Sequence, residues 1–109
     1  MTDVPVIRLE GDLDIARSHE LRERLLAAVR NEDFGLVVDL SDARYIDSVG
    51  VSLLFEVAER LTSRQLRMAV VVPGDGLVER VLGIVDIAAV SSVHRDVDGA
   101  VAAIRAANG

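Results

Sequence analysis

The chain has 109 residues, 50% of them apolar and 28% charged, which suits one folded domain over residues 1–109 and excludes an unfolded chain. Its formal net charge is −6, all 12 cationic residues are arginine and only 3% are aromatic, so a nucleic-acid binder is not expected. Cysteine is absent and neither His19 nor His94 has a partner at the spacing of a metal motif, which predicts no metal site and no cofactor.

The chain opens with a predicted strand and a predicted helix. Val4 to Glu10 is rich in β-branched and aliphatic residues, and Pro5 favours a position at the edge of a sheet. Asp14 is the expected N-cap of the helix that follows. The apolar residues that share one face of this helix are Leu21, Leu25, Ala28 and Val29.

The middle of the chain predicts two buried strands on either side of a long helix. Leu36 to Leu40 is a short apolar run that needs cover on both faces, which is typical of a central strand. Met68 to Val72 is a second such strand, stopped by Pro73. The helix between them begins near Ser48, and its apolar stripe is Gly50, Leu54, Val57, Ala58 and Leu61.

The last third predicts a short helix, a weak strand and a final helix. Leu77 to Leu82 has helical spacing and ends at Gly83, Ile87 to Val93 carries a weaker strand signal, and Val97 to Ile104 is again helical. This alternation predicts an α/β fold. We expect about four strands in a largely parallel or mixed sheet, packed against about four helices.

No group of residues in the sequence predicts catalysis. Asp12 and Asp14 lie just before a helix, where carboxylates serve as caps and complement the helix dipole. The segment Gly74 to Gly76 lacks the lysine and the hydroxyl residue of a phosphate-binding loop. We therefore expect a protein that is not an enzyme.

The sequence also carries no signal for export or for membrane insertion. Its first residues lack the positive and apolar regions of a signal peptide. The longest wholly apolar runs, among them Met68 to Val72, have five residues, against the roughly 20 of a membrane-spanning helix. A cytoplasmic protein that does not insert into membranes is expected.

The most informative segment is Val37 to Leu54, VVDLSDARYIDSVGVSLL. It leads from a buried strand to a helix whose N-cap is either Asp47 or Ser48. A hydroxyl at such a helix start is accessible to another protein, and a phosphate there meets the positive end of the helix dipole. Gly50 lets the first turn approach a neighbour or a partner closely, and we expect a bulky residue there to impair docking more than stability.

Three motifs in this order resemble the STAS family, which includes the bacterial anti-sigma factor antagonists. Leu9 to Asp14, LEGDLD, is similar to the family's G-[ED]-L-D turn, and Val37 to Ser41, VVDLS, to its central strand. Tyr45 to Val51, YIDSVGV, resembles the segment that carries the phosphoacceptor serine, which here is Ser48. The resemblance covers the chain from about Val4 to about Ala107.

The resemblance implies partner switching. The form unphosphorylated at Ser48 would bind an anti-sigma factor with serine kinase activity and free a sigma factor. Phosphorylation of Ser48 would release this chain from the anti-sigma factor, and a PP2C-type phosphatase would restore the binding form. Ser52 lies one helical turn beyond Ser48. The partner-binding surface implied is Asp47, Ser48, Val49, Gly50, Val51 and Ser52.

Two further expectations concern the chain's assemblies. Only Met1 to Asp3 precede the first predicted strand, so we expect an open sheet edge that could pair with a partner or with a second copy in a homodimer. The alternative function is that of a structural STAS subunit in a lipid-transport or stress-signalling complex, where a similar surface contacts a partner without phosphate transfer.

Overall fold

The structure, a computed structural model, describes residues 4–28, 34–74 and 76–108. The strands in these ranges are β1 (Val6–Arg8), β2 (Gly11–Leu13), β3 (Gly35–Asp39), β4 (Ala43–Ile46), β5 (Arg67–Val71) and β6 (Ser92–His94). The helices are α1 (Ser18–Ala27), α2 (Ser48–Ser63), α3 (Leu77–Ile84) and α4 (Val97–Asn108), with short 3-10 helices at Ile15–Arg17 and Ile87–Ala89. Val29, which we expected in the first helix, lies outside the described residues.

Four strands form one sheet in the order β1-β3-β5-β6. The two central strands are β3 and β5, and in their register Val37 lies beside Ala69 and Val38 beside Val70. The strands β2 and β4 form a separate two-stranded ladder. All strand pairs within the described ranges are parallel. The predicted α/β fold with a largely parallel sheet is therefore confirmed, and β1 lies at the sheet edge as expected.

Helices cover both faces of the four-stranded sheet, which explains the apolar runs of β3 and β5. On one face Val38 and Val70 belong to the core beneath α1, α2 and α3. On the other face Val37 and Val71 pack with Ile104 of α4. Full burial of one such side chain contributes about 1.5–3 kcal/mol, so these two strands anchor the fold.

The predicted first strand, Val4 to Glu10, is shorter in the structure and is followed by the unpredicted strand β2. The Leu9 N–H still donates to the Asp39 carbonyl at 3.0 Å. Gly11, at φ +75°, then turns the chain, and its N–H donates to the Asp42 carbonyl at 3.0 Å. Because a left-handed φ suits glycine, the chain leaves the main sheet here and β2 pairs with β4.

The strand expected within Ile87 to Val93 begins only at Ser92, so this prediction was partly wrong. Asp86 has a left-handed φ of 58° and is followed by the short 3-10 helix, where Ile87 is buried. The Ser91 hydroxyl donates to the Met68 carbonyl at 3.1 Å and brings the chain back beside β5. In the apolar run Ile87 to Val90 only Ile87 is buried, while Ala88 and Ala89 are exposed. A short apolar run alone does not distinguish a strand from a helical turn.

The outer edge of β1 is partly occupied by a side chain of α1. The Pro5 carbonyl and the Leu9 N–H both bond to β3, so the carbonyl of Arg8, one residue out of phase, points away from the sheet. Arg24 Nη2 donates to this carbonyl at 2.8 Å. A guanidinium on an edge carbonyl blocks the pairing of a further strand there, and the expected open edge is therefore open only in part.

Candidate functional site

The predicted site lies where the two-stranded ladder leads into α2. Ile46 at the end of β4 is buried, and the next residue, Asp47, has extended backbone geometry at the helix N-cap. Asp47 Oδ1 accepts hydrogen bonds from the N–H groups of Val49 at 2.9 Å and Gly50 at 3.0 Å. Of the two candidates that the sequence left open, Asp47 is therefore the cap, an interaction that contributes about 1 kcal/mol.

Asp47 also joins α2 to the segment that follows β2. Its Oδ2 accepts from the Ile15 N–H at 3.2 Å, and its own N–H donates to the Leu13 carbonyl at 3.2 Å. The first of these bonds spans 32 positions in the chain. One carboxylate thus fixes the start of α2 and the start of the 3-10 helix Ile15–Arg17 relative to each other.

Ser48 is the first residue of α2, and its side chain is exposed. Because Asp47 accepts from the first-turn amides, the Ser48 hydroxyl is not needed as a cap. Within residues 4–28, 34–74 and 76–108 its Oγ has no hydrogen-bond partner. The hydroxyl is therefore available to an enzyme that approaches from solvent.

Gly50 is buried between α2 and β2. A β-carbon at this position would overlap the Leu13 carbonyl oxygen and lie 2.9 Å from Ile46 Cγ1. The absence of a side chain therefore lets α2 pack on the backbone of β2. This geometry reverses our expectation for Gly50, because a bulky residue there would first disrupt the packing of the domain.

The other predicted surface residues differ in exposure. Ser52 is exposed on the next turn of α2, while Val49 and Val51 are half-buried. A residue that sequence analysis missed is Ile15, which is 69% exposed although it is apolar and is held beside the helix start by Asp47. Its sequence context, directly after Asp14, gives no periodic signal that distinguishes an exposed isoleucine from a core residue.

The aspartate of the VVDLS motif has a structural role at the end of β3. Asp39 is 4% exposed. Its Oδ1 accepts hydrogen bonds from the Ser41 N–H at 3.0 Å and from the Ser41 hydroxyl. Arg8 on the neighbouring strand lies 3.7 Å from Oδ2. The motif therefore closes the turn between β3 and β4, and the buried charge is compensated by polar neighbours.

The prediction that Asp14 caps the first long helix was wrong. Asp14 precedes the 3-10 helix Ile15–Arg17 and makes no side-chain cap bond, and α1 begins only at Ser18. Its Oδ1 is buried without a hydrogen-bond partner among the described residues. The cause is the interposed 3-10 helix, which places the amides of the first α-helical turn out of reach of Asp14.

An ion pair holds α1 against α2 farther along the helix. Arg22 Nε donates to Glu56 Oε2 at 2.8 Å, and Arg60 Nε lies 3.5 Å from the same oxygen. The hydrogen bond from Arg22 lowers the pKa of Glu56 below its usual range and raises the pKa of Arg22. The pair, whose two side chains are partly exposed, links the helix that carries Ser48 to α1.

The described ranges hold neither a metal-binding cluster nor a membrane-spanning helix. They contain no cluster of three or more histidine, aspartate or glutamate side chains that could hold a metal ion. They also contain no helix with the length and hydropathy needed to cross a membrane.

Comparison with known proteins identifies relatives of this fold. A family model described as "Mlab, STAS domain" matches residues 2–88. The crystal structure of an anti-sigma factor antagonist from Mycobacterium paratuberculosis is similar, with 25% sequence identity and a TM-score of 0.83 over 96% of this chain and 88% of that one. No curated protein sequence matches the chain significantly.

Two more distant structures share the fold. The anti-sigma factor antagonist SpoIIAA in its unphosphorylated form has 18% identity and a TM-score of 0.67, over 100% of this chain and 93% of that one. A sulfate transporter family protein from Wolinella succinogenes has 18% identity and a TM-score of 0.78, over 96% and 87% of the two chains. At this identity the likeness establishes the architecture alone.

Proposed function

The chain belongs to the STAS family, and from this premise we propose that it is an anti-sigma factor antagonist that acts by partner switching. The form unphosphorylated at Ser48 binds an anti-sigma factor that is also a serine kinase, and so frees a sigma factor. The kinase phosphorylates Ser48 and thereby releases the antagonist, and a PP2C-type phosphatase restores the binding form. In this proposal the chain acts in the cytoplasm by binding the anti-sigma factor, and it catalyses no reaction itself.

The observation that carries the proposal is the exposed hydroxyl of Ser48 beside an independent cap. Asp47 accepts from the first-turn amides of α2. The fold therefore does not depend on the Ser48 side chain, which faces solvent. A serine with these properties can be modified without unfolding of its host.

The charge of the chain supplies a reason for release. A phosphate adds about 1.5 to 2 negative charges to a protein whose formal net charge is −6. Within an interface around Ser48, Val49, Val51 and Ser52, that dianion would have to lose its water. A loss of about 3 kcal/mol corresponds to more than a hundredfold in affinity, which is enough for one partner to be exchanged for another.

The alternative is a structural STAS subunit of a lipid-transport or stress-signalling complex, in which no phosphate is transferred. Two observations favour it. The matching family model is described as "Mlab, STAS domain". In addition, the residue after the serine is the β-branched Val49, where the antagonists usually have a small or hydroxylated residue.

Phosphorylation with a defined partner separates the two functions. The chain is incubated with its cognate serine-kinase anti-sigma factor and ATP and is then examined by mass spectrometry, alongside Ser48→Ala and Ser52→Ala. A single phosphate that is lost only in Ser48→Ala supports partner switching. A tight complex in which no phosphate forms supports the structural subunit.

A further inference from the structure

Both oxygens of the Asp47 carboxylate accept hydrogen bonds from the backbone, and the donors belong to two separate segments. Oδ1 accepts from Val49 and Gly50 in α2, and Oδ2 accepts from Ile15 in the segment after β2. These bonds hold a half-buried side chain in place directly before Ser48. A charge on Ser48 therefore lies next to the Asp47 carboxylate, which already accepts hydrogen bonds from the Val49, Gly50 and Ile15 amides.

A phosphate on Ser48 has two effects on Asp47. It adds a dianion on the residue next to an anionic side chain, and the two negative charges repel each other. It also introduces strong acceptor oxygens at a helix N-terminus, where they compete for the first-turn amides. Since each of these N–H groups carries a single hydrogen, the phosphate can gain them only at the expense of the bonds to Asp47.

The segment on the far side of Asp47 contains the exposed Ile15. Arg17 anchors the other end of this 3-10 helix, since its Nη1 donates to the carbonyls of Glu10 at 2.6 Å and Asp12 at 2.9 Å. At the near end the bond from the Ile15 N–H to Asp47 connects the segment to α2. Loss of this bond would remove the direct link between the Ile15 backbone and α2, while Leu13 before it stays bonded to the Asp47 N–H and Arg17 after it stays attached.

The same segment contains Asp14, whose carboxylate would gain hydrogen bonds from water if the segment moved away from α2. Asp14 Oδ1 is buried and has no hydrogen-bond partner among the described residues. A buried acceptor without a partner is destabilising and gains hydrogen bonds when water reaches it. The unpartnered Asp14 thus destabilises the position in which the Ile15 N–H bonds to Asp47, and the bond to Asp47 stabilises it.

We propose that Asp47 is a positioning residue that transmits phosphorylation of Ser48 to Ile15, an apolar anchor of the docking surface. In the unphosphorylated chain Asp47 holds Ile15 beside Ser48, where it inserts into an apolar pocket of the partner. The phosphate displaces the Asp47 carboxylate from its place at the helix start, so that Oδ2 no longer accepts from the Ile15 N–H, and Ile15 is loosened at the same time as negative charge is gained. This inference rests on the proposed function, in which Ser48 is the modified residue.

Amide hydrogen exchange of the isolated, folded chain tests this coupling by NMR. Phosphoserine is incorporated at position 48 during translation, and the matched control has phosphoserine at position 52, one helical turn away. We expect about five- to tenfold faster exchange of the Ile15 N–H in the first protein, the change that follows loss of one hydrogen bond of average strength. The control should leave the Ile15 rate unchanged.

The variant Asp47→Asn tests the same bond without any phosphate. Asparagine caps a helix as well as aspartate does, so its oxygen can keep the bonds to Val49 and Gly50. Its amide nitrogen only donates and cannot accept from Ile15. We expect fast exchange at Ile15 together with unchanged protection of Gly50.

Binding of the partner distinguishes this proposal from the proposed function. If phosphoserine at position 48 abolishes binding of the anti-sigma factor but leaves Ile15 exchange slow, the coupling is overturned and the charge switch at Ser48 stands. If Ile15 exchange rises and the partner still binds, the coupling is supported, while partner switching and the anchoring role of Ile15 are both overturned. Slow Ile15 exchange in Asp47→Asn would also overturn the role of Asp47.

Discussion

The backbone of Gly50 lies directly against the carbonyl group of Leu13, so that no β-carbon fits between α2 and β2. This contact determines how closely the helix that carries Ser48 approaches the two-stranded ladder. The surface around Ser48 therefore depends on a residue that is itself buried.

We expect Gly50→Ala to lower the free energy of unfolding by about 1–3 kcal/mol, the usual cost of overpacking. Urea unfolding followed by circular dichroism measures the effect. The control is Gly83→Ala in α3, where nothing lies within 4 Å of the added β-carbon, and where alanine should be neutral or stabilise by up to about 1 kcal/mol. Equal effects of the two substitutions would contradict the packing role of Gly50.

Capping by Asp47 predicts unequal effects of two neighbouring alanines. Asp47→Ala removes the acceptor of the first-turn amides and should lower the free energy of unfolding by about 1–2 kcal/mol. Ser48→Ala removes an exposed hydroxyl and should change it by less than about 0.5 kcal/mol. Thermal and urea unfolding of both variants compare these values. A larger loss in Ser48→Ala would identify the serine as the cap.

Partner switching predicts opposite binding properties for two variants of Ser48. Ser48→Ala should bind the anti-sigma factor as the unphosphorylated protein does and should not be released by ATP. Ser48→Asp introduces a negative charge at the centre of the interface and should bind weakly, with an affinity loss of up to about a hundredfold. Isothermal titration calorimetry with the same partner measures both affinities. Indistinguishable affinities would be incompatible with the switch.

The ion pair between Arg22 and Glu56 predicts a loss of stability in acid. The pKa of Glu56 is lowered in the folded protein by the hydrogen bond from Arg22. A lowered pKa means that the stabilisation is present above the unfolded-state pKa and disappears as the pH falls through the folded-state pKa. Urea unfolding between pH 7 and pH 3 should show a steeper decline for the natural chain than for Glu56→Gln. The exposed Glu59→Gln serves as control and should follow the natural chain.

The contact of Arg24 with the Arg8 carbonyl predicts an effect on self-association. Arg24→Ala exposes the outward carbonyl of β1 and should increase dimer formation through strand pairing. Sedimentation velocity at several protein concentrations measures the change. Glu10→Ala is the control, because it removes an ion-pair partner of Arg24 and leaves the backbone contact in place. Identical sedimentation of Arg24→Ala and the natural chain would show that the edge is protected by other means.

The sequence by itself determined the two central strands of the main sheet, the helices that cover it and the position of the serine at a helix start. The apolar runs Leu36 to Leu40 and Met68 to Val72 indicate strands covered on both faces, because burial on two sides removes the need for polar alternation. Apolar residues at helical spacing indicated the helices equally well, since this spacing can be read from neighbouring residues alone. The strands β2 and β4 escaped prediction because they are short and each has a single buried residue, which leaves no apolar run or alternation to detect.

Only the tertiary structure decided how the residues around the serine share their roles. It assigned the cap to Asp47, made Gly50 a packing residue against Leu13 and placed the exposed Ile15 beside the helix start. The bond between Ile15 and Asp47 joins residues 32 positions apart. Local sequence patterns report which residues are buried and with what period, whereas such a contact depends on how β2 and α2 meet in three dimensions.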